Sequence, residues 1–147
     1  MSEIKYLKPF INGEYVASKC EKYTDAYNPS TGEVIAKVPC CTVDEVNLAV
    51  ESAKEAFKTW SRVPVMKRVQ VLYKVRELIE KNMDELTYLV AFEHGKTWEE
   101  AKGDVLKAKE ATEQAISAPS LMMGESLMDT SAGFDSVLYR ESVGVFA

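Results

Sequence analysis

The sequence predicts an α+β chain, and three observations carry that prediction. Apolar residues recur at helical spacing on both sides of Glu93-His94-Gly95-Lys96. Asn12-Gly13 stands between two short apolar runs, a strong local signal for a β-hairpin. The last stretch, Val143-Gly144-Val145-Phe146-Ala147, is uninterrupted and apolar, as strands of a parallel sheet buried on both faces are.

The elements follow in chain order. Phe10-Ile11 and Tyr15-Val16 pair across Asn12-Gly13. A second hairpin runs from Tyr23–Tyr27 through Asn28-Pro29-Ser30-Thr31-Gly32 to Val34–Val38, closed by Pro39. Thr42-Val43-Asp44-Glu45 is a capping box: the hydroxyl and the carboxylate serve backbone N–H groups that a helix start leaves orphaned. The helix it opens carries Val46, Ala49, Val50, Ala53 and Phe57 on one face, with Trp60 over its end. Pro64 suits the first turn of the next helix. From Val65 to Phe92, residues 65, 69, 72, 75, 79, 83, 86 and 90 form one apolar face. Asn82-Met83-Asp84-Glu85 resembles a third cap, so a break or kink is expected near Lys81-Asn82.

Gly95 supplies the permissive backbone that ends this long helix. Thr97-Trp98-Glu99-Glu100 is another capping box. It opens a helix with a weaker stripe at Ala101, Val105, Ala108, Thr112, Ala115 and Ile116. A short connection favours antiparallel neighbours, which makes 64–123 an αα-hairpin. Periodicity ends at Ala118-Pro119. Strands are expected at Ser126–Met128 and Ser136–Arg140, around a small polar loop from Asp129 to Asp135. The 143–147 run stops with no partner strand or crossover helix after it, so the chain reads as ending inside a strand.

Composition narrows the function classes. The net charge is −5 over 147 residues. That argues against nucleic acid or an anionic membrane as the main partner. No stretch approaches the roughly 20 apolar residues of a membrane span, and the first five residues hold no apolar signal core. Three cysteines, Cys20, Cys40 and Cys41, are odd in number and lack C-x-x-C spacing. They suit a reducing, cytoplasmic setting better than a disulfide framework or a zinc site. The single histidine, His94, falls in a helix-end turn, where a satisfied structural imidazole is the expected state.

Several motifs in series resemble a known family. They are Phe10-Ile11-Asn12-Gly13-Glu14-Tyr15, Asn28-Pro29-Ser30-Thr31-Gly32-Glu33-Val34-Ile35, Ala56-Phe57 with Trp60, Glu93-His94-Gly95-Lys96, and Tyr139-Arg140-Glu141-Ser142-Val143-Gly144-Val145. In this order they resemble the N-terminal part of the aldehyde dehydrogenase superfamily. Pro119-Ser120-Leu121-Met122-Met123-Gly124-Glu125-Ser126 is most similar to the methylmalonate-semialdehyde dehydrogenase branch. The resemblance implies an α/β enzyme that oxidises an aldehyde or semialdehyde with NAD, with coenzyme A as acyl acceptor in that branch. It implies a homo-oligomer, dimer or tetramer. Residues 1–124 become part of the NAD-binding domain, with β-hairpins and helices flanking a Rossmann-like sheet. Residues 125–142 become a β-hairpin of the oligomerisation domain, and 143–147 the start of the first nucleotide-binding strand. Ser142 stands where the family usually has Pro.

The same resemblance places the catalytic thiol and the NAD-binding motifs beyond residue 147. No catalytic or cofactor-binding residue is therefore assigned within this chain, which alone is expected to be inactive. Two peripheral assignments remain. Glu93, with the backbone carbonyls of Ala26 and Tyr27, matches a monovalent-cation site; the other reading is a carboxylate making local hydrogen bonds at a helix end. Lys107 matches a position, commonly Arg in that branch, that anchors a substrate carboxylate; the other reading is a solvated helix lysine. A different class of function stands beside the enzyme: an interaction module in which the αα-hairpin and the C-terminal β-hairpin bind a full-length relative.

Overall fold

The computed structural model describes residues 4–146. Its elements are β1 (Lys5–Tyr6), β2 (Phe10–Ile11), β3 (Glu14–Tyr15), β4 (Tyr23–Tyr27), β5 (Val34–Pro39), α1 (Val43–Trp60), α2 (Val65–Lys81), α3 (Met83–His94), α4 (Trp98–Ile116), α5 (Ala118–Leu121), β6 (Glu125–Ser131) and β7 (Phe134–Leu138).

Both N-terminal hairpins form. Strands β2 and β3 pair Phe10 with Tyr15 across Asn12 (φ 52°) and Gly13 (φ 83°). Two successive left-handed residues are what a type I′ turn demands. Strand β5 is central in a three-stranded sheet, antiparallel to β4 and parallel to β1. The parallel β1 pairing, Lys5 with Ala36, has no local sequence signal. Aromatic contacts fix the corner: the rings of Tyr6 and Tyr23 meet edge to face at 5.4 Å.

The capping boxes at Thr42 and Thr97 are both complete. The expected break in the long helix falls at Asn82, but not through capping. Asn82 (φ −106°, ψ 23°) turns its side chain backwards, and its Nδ2 donates to Leu78 O at 2.8 Å. The amide closes the end of α2 instead of serving the start of α3. Helix α4 packs on both α2 and α3. Their shared core among the described residues is Val69, Ala101 and Val105, with Thr87 fully enclosed. Thr87 is tolerated there because its hydroxyl donates to Met83 O at 2.7 Å. Charged pairs rim this core. Arg76 reaches Glu80 and Glu113 at 2.8 and 2.7 Å, and Lys109 meets Glu80 at 3.1 Å, so one network ties α2 to α4.

One expectation for the C-terminal part is corrected. The last hairpin runs 125–138 with its turn at Ala132-Gly133, not a loop spanning 129–135. The ladder extends because Asp129 takes φ 53° in a bulge and its N–H donates to Asp135 Oδ1 at 2.9 Å. Gly124 sits at the root, where any Cβ would lie 2.0 Å from Leu138 O. The run from Val143 forms no strand among the described residues, and Val143 is 87% exposed. A β-strand needs ladder partners, and no strand here pairs with it. Ala147 lies outside the described residues.

Candidate functional site

The end of α3 and the turn after β4 meet at one corner. Gly95 closes α3 in the left-handed conformation (φ 68°), with its N–H donating to Ala91 O at 2.9 Å. A Cβ on Gly95 would stand 2.9 Å from Pro29 Cγ and 3.1 Å from Ser30 Oγ. The helix end therefore packs directly on the Asn-Pro turn.

That turn is fixed from within. Asn28 is buried; its Oδ1 accepts from Ser30 N at 2.9 Å and its backbone N–H donates to Glu33 O at 2.9 Å. Its carbonyl closes the turn by accepting from Gly32 N at 2.8 Å. Immediately before it the β4–β5 register slips: Ala26 pairs with Ala36, but Tyr27 pairs with Val34. Such a bulge disrupts the regular ladder at the successive peptides that carry the Ala26 and Tyr27 carbonyls. Glu93 is exposed on the last turn of α3, two residues before Gly95. The last turn of α3 thus carries a carboxylate and the carbonyl-rich end of a helix, both of which favour positive charge. The bulge at Tyr27 lies two residues before the Pro29 on which Gly95 packs. No group of three or more His, Cys, Asp or Glu is placed to hold a metal among the described residues.

Lys107 lies on α4, about 200° around the helix from buried Val105, so it points away from α2 and α3. It is exposed and pairs with Glu110 at 2.7 Å; that hydrogen bond and the charge of Glu110 hold its ammonium above the usual lysine value. Cys20 and Cys40 are half-buried, Cys41 is exposed, and all three are free. His94 is exposed at the C-terminus of α3.

One polar junction escaped the sequence reading. The Glu45 carboxylate does more than complete its capping box. It accepts from Thr42 N at 2.7 Å and Lys19 N at 2.8 Å, and from the Ser18 and Thr42 hydroxyls at 3.1 Å each. The backbone N–H groups of Thr42 and Lys19, then the two hydroxyls, lower its pKa from 4.5 to about 2. The local half of this clamp is legible as Thr-x-x-Glu. The half that ties down residues 18–19 crosses 26 positions and has no local signature.

These elements belong to a known class. The aldehyde dehydrogenase family model matches residues 15–147. The chain belongs to that family and corresponds to its N-terminal portion.

Within the family it is similar to malonate-semialdehyde dehydrogenases. It is 46% identical over 97% of its length to malonate-semialdehyde dehydrogenase 2 of Oceanobacillus iheyensis, and 43% identical over 99% to the Bacillus subtilis malonate-semialdehyde dehydrogenase. It spans 29% and 30% of those two proteins. Among solved structures, a Sinorhizobium meliloti 1021 protein in complex with NAD superposes with a TM-score of 0.90 at 35% identity, covering 98% of this chain and 29% of that one. A methylmalonate-semialdehyde dehydrogenase of Oceanimonas doudoroffii gives 0.84 at 32% identity, covering 91% and 27%. The mixed α/β class expected from the motifs is the class of these neighbours.

Proposed function

We propose that this chain is the N-terminal portion of an NAD-dependent semialdehyde dehydrogenase of the malonate or methylmalonate type. The observation that carries the reading is the 46% identity to such an enzyme, sustained over 97% of the chain. Burial supports it. Val71, Val75, Leu78 and Leu89 on α2 and α3 are exposed, as are Leu127, Phe134 and Val137 on the last hairpin. Val71, Val75 and Leu78 recur at helical spacing on one side of α2, as the apolar residues of a contact face do. In the complete enzyme a cysteine thiolate outside this chain attacks the aldehyde, hydride passes to NAD, and the acyl group leaves to coenzyme A or water.

The parts of this chain take supporting roles. Residues 1–124 flank the nucleotide-binding sheet. Residues 125–142 reach a neighbouring subunit of a homo-oligomer, and 143–147 become a strand once partners are beside them. Lys107 attracts the carboxylate of a semialdehyde; as a lysine it offers a point charge where an arginine would offer a two-pronged fork. Glu93, with the Ala26 and Tyr27 carbonyls, holds a monovalent cation that braces the corner at Gly95. The enzyme works in the cytoplasm. No helix among the described residues is long and apolar enough to cross a membrane.

The test is an assay of the full-length polypeptide with malonate semialdehyde, with and without coenzyme A. NADH formation and an acyl-CoA product are expected. Absence of NAD reduction with any short aldehyde or semialdehyde overturns the reading.

A further inference from the structure

We propose that the cleft at the root of the last hairpin is a carboxylate-binding site, walled by Arg68 and Arg140. The cleft holds about 410 Å³ between the end of α1, α2 and residues 140–146. Phe57, Trp60 and Met122 supply apolar sides, and the two guanidinium groups supply the charge.

Arg68 is poorly satisfied. Its Nε is shut off from solvent without a hydrogen-bond partner, and its Nη2 makes only a 3.9 Å contact with Met122 Sδ. A thioether is a weak acceptor. Arg140 Nε donates to Met123 O at 3.3 Å, which leaves the rest of its fork for another acceptor. Among the described residues neither guanidinium forms an ion pair, although Glu141 also lines the cleft. Arg68 is half-buried and Arg140 exposed, so the group that lacks a partner away from solvent is the Arg68 guanidinium. A planar oxyanion matches a guanidinium fork in both charge and geometry. A neutral carbonyl would satisfy Nε and leave the charges uncompensated.

The carboxylate has two sources. One is an Asp or Glu from a part of the longer polypeptide outside residues 1–147, which rests on the reading above; the other is a free small carboxylate. Phenylglyoxal labelling of the full-length polypeptide, read by mass spectrometry, separates them. Arg62, which is exposed, is the internal standard. A protein carboxylate makes Arg68 label about tenfold or more slowly than Arg62 without any addition, the size expected for charged hydrogen bonds. A free carboxylate gives that protection only when acetate is added. Equal labelling of Arg68 and Arg62 with and without acetate overturns the proposal.

Protection without acetate is then checked in a refined structure of that polypeptide. A carboxylate oxygen within about 4 Å of Arg68 is expected. A carbonyl, an amide or water there overturns the proposal. Arg68→Lys is expected to retain more thermal stability than Arg68→Gln, because it keeps the charge. The dehydrogenase reading stands or falls separately, on NADH formation by the same preparation.

Discussion

Replacing Gly95 by Ala tests how the helix end and the Asn-Pro turn depend on each other. Two costs are readable. At φ 68° an L side chain gives up about 1–2 kcal/mol. The new Cβ also meets Pro29 Cγ at 2.9 Å and Ser30 Oγ at 3.1 Å, so the proline ring must give by a few tenths of an ångström. Relieving such a contact costs on the order of 1 kcal/mol, for a total of about 2–3 kcal/mol.

Two further variants separate the terms. Gly95→Asn keeps the Cβ but tolerates the left-handed backbone, so it recovers part of the loss. Pro29→Ala removes Cγ and leaves Cβ at 3.6 Å, an ordinary contact, so Gly95→Ala costs less in that background. The assay is amide hydrogen exchange of the peptide covering 88–97, read by mass spectrometry. A local loss of about 2 kcal/mol accelerates exchange about 30-fold. Unchanged exchange in Gly95→Ala refutes the argument outright. Independence of the Gly95 and Pro29 substitutions refutes the packing term alone.

Other outcomes follow from the same geometry. Glu45 has a folded pKa of about 2 against an ordinary 4.5; because the shift is downward, its stabilisation is complete above about 4.5 and lost as pH falls towards 2. Carboxyl NMR titration checks this, and a Glu45 midpoint near 4.5 sinks it. Glu45→Gln is expected to loosen residues 18–19 first, seen as faster proteolysis after Lys19 than in the wild type. The 147-residue chain is expected to give no aldehyde-dependent NADH, because the proposed reading puts the thiol nucleophile of the covalent mechanism outside it; turnover lost on changing Cys20, Cys40 or Cys41 contradicts this. In the full-length enzyme Lys107→Ala is expected to raise KM for a carboxylated semialdehyde about tenfold or more, with little effect on propanal. Equal effects on both substrates remove Lys107 from the substrate site.

What the sequence determined by itself was everything decided within a few residues. Thr42 and Thr97 start helices because a hydroxyl and a carboxylate three residues later satisfy orphan N–H groups. Asn12-Gly13 turns because those two residues enter left-handed backbone cheaply. Gly95 ends a helix for the same reason. The ordered motifs also placed the family, because each is a local constraint that composition alone would not reproduce.

Tertiary structure decided the rest. The long-range half of the Glu45 clamp, the parallel pairing of β1 with β5 and the seating of Gly95 on Pro29 join residues 26 or more apart. Such contacts require loops to close, and no short window records that closure. Val143–Phe146 shows the same division: its composition specifies strand, but a strand exists only where another backbone supplies the ladder.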